Sequence, residues 1–363
     1  MKIQESNLLR GSNNFDFVRV LAAILVLVGH SPALFKNKPF YYDPLIKIIG
    51  YPAHAIGLYI FFIISGFLIT KSWESKKNTF EFIVSRILRI FPALLFTLIC
   101  TTFILGPLLT SYHLSDYLTS KETYKHLLNI TLFRIYYELP GVFGSNPYNN
   151  AVNGSIWSLS YEFTCYLLLI LFGYFHFLKN KWFSLSIYVL AVILISFYKS
   201  EIELSYPTIP FLGINMDKMI EFFILFFSGS FFYLFRNYLT FNWITYSFII
   251  SLIIITRVFQ IPFIFNSIIF SFLIFSLVFS RRINLNKFGK YGDFSYGIYL
   301  FAFPIQQIIA QFFTTEFNLL LLILISTLFT FIASFICWNL VEKPTLKLKK
   351  RILNLKINNP KYF

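Results

Sequence analysis

The sequence predicts an all-α integral membrane protein, a bundle of about ten transmembrane helices with both termini cytoplasmic. Three observations carry that expectation. Charged residues make up 13% of the chain and hydrophobic residues 57%, whereas a soluble domain carries about 25% charged residues. Several apolar runs are long enough to cross a hydrocarbon core, which takes about 20 helical residues. The runs are also continuous, whereas the strands of a membrane barrel alternate apolar and polar over segments of about 10 residues.

In chain order the spans fall at 17–35, 52–72, 86–108, 156–177, 183–198, 216–235, 243–258, 261–280, 295–313 and 318–341. The first follows a polar stretch ending at Asn14 and shows no signal-peptide cleavage site after it. The third is opened by Arg86 and Arg89, and the fourth by Ser155-Ile156-Trp157. Gln260-Ile261-Pro262 divides the seventh from the eighth, and the tenth runs out at Glu342-Lys343-Pro344. Without repeats or low-complexity tracts, residues 1–363 are expected to form a single membrane domain with a short basic tail, 342–363. Cys100, Cys165 and Cys337 lie inside apolar runs and are expected to be small core residues rather than disulfide partners or metal ligands.

Orientation follows from the basic residues, which collect on the cytoplasmic side of membrane proteins. With the N-terminus inside, the inner segments hold 22 of the 31 Lys and Arg. The net charge of +15 is thus mainly topological, and the dispersed basic residues do not suit nucleic acid. The tail is expected to lie on anionic lipid headgroups. The longest outer loop, 109–155, is polar and aromatic, either the place where an external substrate is met or a plain connector.

Ionisable residues inside spans are costly and are usually structural partners or functional groups. Asp16, Arg19 and His30 share the first span. Arg19 and His30 fall on nearly the same helix face, about 16 Å apart along it. Arg86 and Arg89 lie on one face at the inner end of the third span. Snorkelling explains each arginine alone, and an interhelical hydrogen bond explains the histidine. Together Arg19, Arg86 and Arg89 suit phosphate, because the guanidinium fork matches its oxygens. Glu162 is expected at a depth similar to that of His30, either as the carboxylate that orients its ring or in a structural hydrogen bond.

These residues resemble the acyltransferase family 3 of membrane O-acyltransferases. Phe15-Asp16-Phe17-Val18-Arg19 with His30 is similar to the family's opening motif, and Phe61 to Thr70 to its second-helix signature. Arg86-x-x-Arg89 with Pro92, Trp157-Ser158-Leu159-x-x-Glu162 and Glu342-Lys343-Pro344 complete the series in order along the chain. One position departs: in Ser295 to Pro304, Ala302 stands where the family often has histidine.

The resemblance implies a cytoplasmic acyl-CoA donor, here expected to be acetyl-CoA, and the sequence shows no metal-ligand spacing. It implies His30 as the catalytic group and Arg19, Arg86 and Arg89 as the holders of the donor; the residues themselves then suggest Glu162 or Asp16 as the carboxylate that holds or tunes the imidazole. The acceptor would be a hydroxyl of lipopolysaccharide, exopolysaccharide or a similar glycan, at the cell inner membrane. Intramembrane charges would equally suit a transporter or flippase for a lipid-linked glycan.

Overall fold

The computed structural model describes residues 3–36, 43, 45–46, 50–75, 79–202, 214–258, 263–313 and 316–348. The Gln260-Ile261-Pro262 junction and the basic tail from residue 349 onward lie outside the described residues. Among those described the secondary structure is helical, with one isolated bridge between Glu138 and Ala151.

Each of the ten apolar stretches is a helix. They are α1 Phe15–Lys36, α2 Ala53–Ser75, α3 Thr79–Cys100, α4 Trp157–Tyr174, α5 Lys181–Ile202, α6 Met216–Leu234, α7 Trp243–Val258, α8 Phe263–Val278, α9 Ser295–Phe312 and α10 Leu319–Cys337. Both α3 and α10 continue through a π-helical turn, at Thr101–Leu105 and Trp338–Glu342. Four helical stretches are long and apolar enough to cross a bilayer: Phe15–Lys36, Ala53–Ser75, Thr79–Leu109 and Leu319–Leu348. With the composition, they make this a membrane protein. Other helices are shorter or interrupted by polar residues, such as Asp217, Lys218 and Glu221 in α6 or Gln306, Gln307 and Gln311 in α9.

The pattern of burial on α10 is the reverse of that on a soluble helix. Ser326, Thr330 and Ser334, spaced by one turn, are fully buried, while Leu320, Leu324, Leu328 and Ile332 are exposed. Lipid tails are as apolar as leucine, so helices in a bilayer gain nothing by hiding leucines and associate through small residues that pack closely. Ser334 shows the result: it donates to the Phe294 carbonyl at 2.8 Å, and a Cβ on Gly297 would stand 2.6 Å from its hydroxyl.

The chain packs as two compact units. The first gathers residues 1–19, 58–76 and 160–291, the second residues 20–57, 77–159 and 292–363. In the first, α2 and α6 cross at two glycines. A Cβ on Gly66 would lie 1.8 Å from the Phe226 carbonyl oxygen, and one on Gly229 would lie 2.0 Å from that of Ile63. Beside the crossing, Phe62 and Phe222 stack with centroids 4.1 Å apart. Asn14, just ahead of α1, donates to the Leu277 and Ile283 carbonyls and accepts from the Leu285 backbone, which ties the start of α1 to the end of α8.

In the second unit the loop 109–155 is ordered by buried polar groups. Tyr117 donates to the Thr102 carbonyl. His126 lies between the Thr101 hydroxyl, 3.3 Å from Nε2, and the Tyr136 carbonyl, 2.9 Å from Nδ1. Burial pushes the His126 imidazole down to about 4, because a low-dielectric site disfavours its charged form. Pro304 has no N–H, so in α9 it frees the carbonyl four residues earlier, that of Leu300. Asn153 of the loop donates to that oxygen at 2.9 Å.

Candidate active site around His30

His30 lies in the last turns of α1. Its Nδ1 is 2.7 Å from the Val26 carbonyl, one turn earlier. A carbonyl only accepts, so Nδ1 carries the proton, and in the neutral ring Nε2 keeps its lone pair. The backbone thereby fixes the tautomer that a proton acceptor or nucleophile needs.

Two glycines bring a second histidine to this place. A Cβ on Gly29 would stand 2.3 Å from the His54 backbone nitrogen, and one on Gly57 would stand 2.5 Å from the Ala22 carbonyl oxygen. This close approach of α1 to the start of α2 sets the His54 ring 5.2 Å from that of His30. On another side the Phe303 ring of α9 meets His30 edge-on at 5.8 Å. Tyr148 of the loop 109–155 meets Phe303 at 5.9 Å, and Leu34, Ala151 and Phe303 form a small buried cluster. The loop residues Tyr148 and Ala151 therefore reach Phe303, which itself lies against the imidazole.

The polar face of α9 continues this contact. Gln306 and Gln307 are fully buried. Gln307 donates to the Tyr148 and Ala151 carbonyls, both at 2.7 Å, and receives Asn146 at 2.9 Å. Gln306 donates to the Leu27 carbonyl at 3.0 Å and to Ser31 Oγ at 2.8 Å. Tyr299 donates to the Ser155 carbonyl, and its hydroxyl also meets that of Ser158 at 2.5 Å. Ala302, at the position where the resemblance often has histidine, is buried.

Arg89 on α3 is held by two carboxylates. Its Nη2 is 2.5 Å from Asp293 Oδ2 and its Nη1 is 2.7 Å from Glu342 Oε2, with the guanidinium over the Tyr296 ring. Asp293 uses its other oxygen to accept from the Ser295 hydroxyl at 2.6 Å, at the head of α9. Two separate sequence motifs, Arg86-x-x-Arg89 and Glu342-Lys343-Pro344, thus meet in one ion cluster. Arg86, one turn before Arg89, has its guanidinium over the Phe82 ring.

The remaining expected residues belong to the first unit. Glu162 Oε1 accepts from Ser65 at 2.8 Å and from the Tyr166 hydroxyl. Ser65 belongs to the second-helix signature, so here too two sequence motifs meet. Asp16 accepts from Arg10 at 3.4 Å and packs on Gly289, where a Cβ would stand 1.8 Å from its Oδ2. Fourteen residues of continuous helix, about 21 Å of rise, separate Asp16 from His30. Arg19 follows Asp16 by one turn and is half-buried. Cys165 and Cys337 are buried free thiols, and Cys100 is half-buried and free.

The family model for an acyltransferase domain matches residues 12–339. The chain belongs to this acyltransferase family. The family member is 35% identical over 161 residues to an O-acetyl transferase of Shigella phage Sf6, covering 43% of this chain and 44% of the relative. It is 33% identical over 168 residues to nodulation protein 10 of Rhizobium leguminosarum bv. viciae, covering 43% of each. The matched part therefore spans less than half the length of either curated relative. No solved structure matches it.

The sequence singles out His30 as an ionisable residue inside a span and gives His54 no such mark. The pair Gly29 and Gly57 was the available signal, since glycines at a helix crossing allow backbones to approach. Phe303 and Gln306 gave none, being one aromatic and one amide within an apolar run.

Proposed function

We propose that this family member is a multi-pass O-acetyltransferase of the inner membrane, with about ten spans and both termini cytoplasmic. It moves an acetyl group from cytoplasmic acetyl-CoA to a hydroxyl of a cell-envelope or exported polysaccharide. Family membership supports acyl transfer, and likeness to the phage O-acetyl transferase supports acetyl transfer to oxygen. The observation that carries the chemistry is the Val26 carbonyl on His30 Nδ1, which puts the proton on that nitrogen and the lone pair on Nε2.

In this reading Nε2 takes the proton of the acceptor hydroxyl as its oxygen attacks the thioester carbonyl. The carbon–sulfur bond then breaks, and the coenzyme A thiolate leaves and recovers the proton from the imidazolium. The donor's phosphates are met by Arg19, Arg86 and Arg89. Arg89 does this from a position fixed by Asp293 and Glu342. Glu162 and Asp16 act as positioning residues, through Ser65 and Tyr166 and through Arg10. The outer loop presents the acceptor.

The test uses membranes with matched amounts of wild type and His30→Ala, supplied with acetyl-labelled acetyl-CoA. Label is expected in the glycan fraction with wild type alone. Transfer by His30→Ala at the wild-type rate would remove the histidine from the mechanism. Movement of a lipid-linked glycan without consumption of donor would replace the enzyme with a transporter.

A further inference from the structure

Gln306 carries an amide whose two ends are treated differently by the fold. Both hydrogens of Nε2 are used, on the Leu27 carbonyl and on Ser31 Oγ. The amide cannot be turned over, because its oxygen would then face a carbonyl, which has no hydrogen to give. The orientation is therefore fixed, and Oε1 is buried with no donor among the described residues. A buried amide oxygen without a partner is expensive. Such an atom in a native fold calls for a donor from beyond the described residues, such as a bound substrate.

The position says which donor. Gln306 follows Phe303 by three residues, on the same side of α9, and Phe303 touches the His30 ring. Its brace, Ser31, is the residue after His30. The neighbouring Gln307 is bound to Tyr148, Ala151 and Asn146 of the outer loop, and Asn146 Oδ1 is likewise buried without a donor. Two buried amide oxygens, one on α9 and one on the loop that α9 anchors, thus lack hydrogens among the described residues. The thioester carbonyl offers none and the pantetheine arm behind it only two amide hydrogens and one hydroxyl, whereas a polyhydroxylated acceptor offers several at the reacting end.

We infer that Gln306 is a specificity-determining residue for the acceptor: its Oε1 receives a hydrogen bond from a sugar hydroxyl adjacent to the one acylated. This deepens the acetyltransferase reading and rests on it. A site built to bond a substrate hydroxyl discriminates strongly against substrates that lack it, since the buried acceptor is then left unpaired.

The experiment measures transfer from labelled acetyl-CoA in membranes, with lipopolysaccharide from the expression host added in a dilution series. Wild type is compared with Gln306→Met and Gln306→Glu. With Gln306→Met the amount of lipopolysaccharide for half-maximal transfer is expected to rise about tenfold or more, while that of acetyl-CoA stays unchanged. Gln306→Glu keeps an acceptor atom at the same place but cannot donate to Leu27. It is expected to hold acceptor half-saturation within about threefold of wild type, and if Gln306→Met does not accumulate, Gln306→Ala takes its place in the comparison. Equal loss in both variants, or a change in acetyl-CoA half-saturation instead, assigns Gln306 to bracing α1 and overturns the inference. Unchanged transfer in both does the same, with water as the partner of Oε1. Absence of transfer by wild type overturns the functional reading itself, a result the variants cannot mimic.

Discussion

Replacing Arg89 with methionine separates two roles for this arginine. The guanidinium lies between Asp293 and Glu342, at 2.5 and 2.7 Å, and the side chains of the two acids are 8% and 3% exposed. Methionine keeps the length and apolar stem but strands both carboxylates in a nearly dry place. Removing one partner of a buried ion pair costs about 3–5 kcal/mol. The cost does not double for two acids, because a stranded carboxyl group can relieve itself by binding a proton. A loss of about 3–5 kcal/mol is a large part of the 5–15 kcal/mol that holds a typical domain. The assay is the fraction of protein that stays monodisperse in mild detergent after heating. Arg89→Met is expected to lower that midpoint clearly. Adding Asp293→Asn and Glu342→Gln to the same chain should recover most of it, since the asparagine still accepts from Ser295. Arg89→Met with the wild-type midpoint and lost donor binding would refute this reasoning, showing that the carboxylates do not depend on the guanidinium.

Two further outcomes concern packing and acid. Gly66→Ala places a methyl 1.8 Å from the Phe226 carbonyl oxygen, so it should destabilise the α2–α6 crossing by about 1–3 kcal/mol. Gly144→Ala, whose methyl meets nothing nearer than 3.7 Å, should be neutral, both being read by the same heating assay. His126 is held down to about 4 by burial, against an ordinary value of 6.5. The unfolded chain therefore binds the extra proton between those values, and stability present above pH 6.5 is lost as pH falls toward 4. Its size is about 3 kcal/mol. Relative to His126→Asn, wild type should lose thermal stability over that window, and parallel pH profiles for the two proteins would contradict the assignment.

The helices were legible because a bilayer leaves little choice: every backbone group must be satisfied inside its own segment, so a long apolar run is a helix. Where each begins was less so. Helix α3 starts at Thr79, ahead of the expected 86, since Phe82 and Ser85 are buried against protein rather than lipid. Of the site, His30 was visible as an ionisable residue in an apolar run. The partner of Arg89 was not, because Asp293 and Glu342 lie 204 and 253 residues away, and only folding shows which charge answers which. Glu162 was expected at a depth like that of His30. Helix rise gives depth but not rotation, and its carboxylate receives Ser65 and Tyr166.

The ion cluster at Arg89 also bears on how the chain is made. Synthesis installs the guanidinium in the third helix, and the carboxylates that answer it arrive with the last two. While α4 to α8 are being made, the arginine must be tolerated by lipid headgroups, water or the translocation machinery. The final helix pair then closes a circuit left open for most of translation. Chains stopped before Asp293 should therefore be engaged by membrane quality-control proteases, and those extended past Glu342 should escape them.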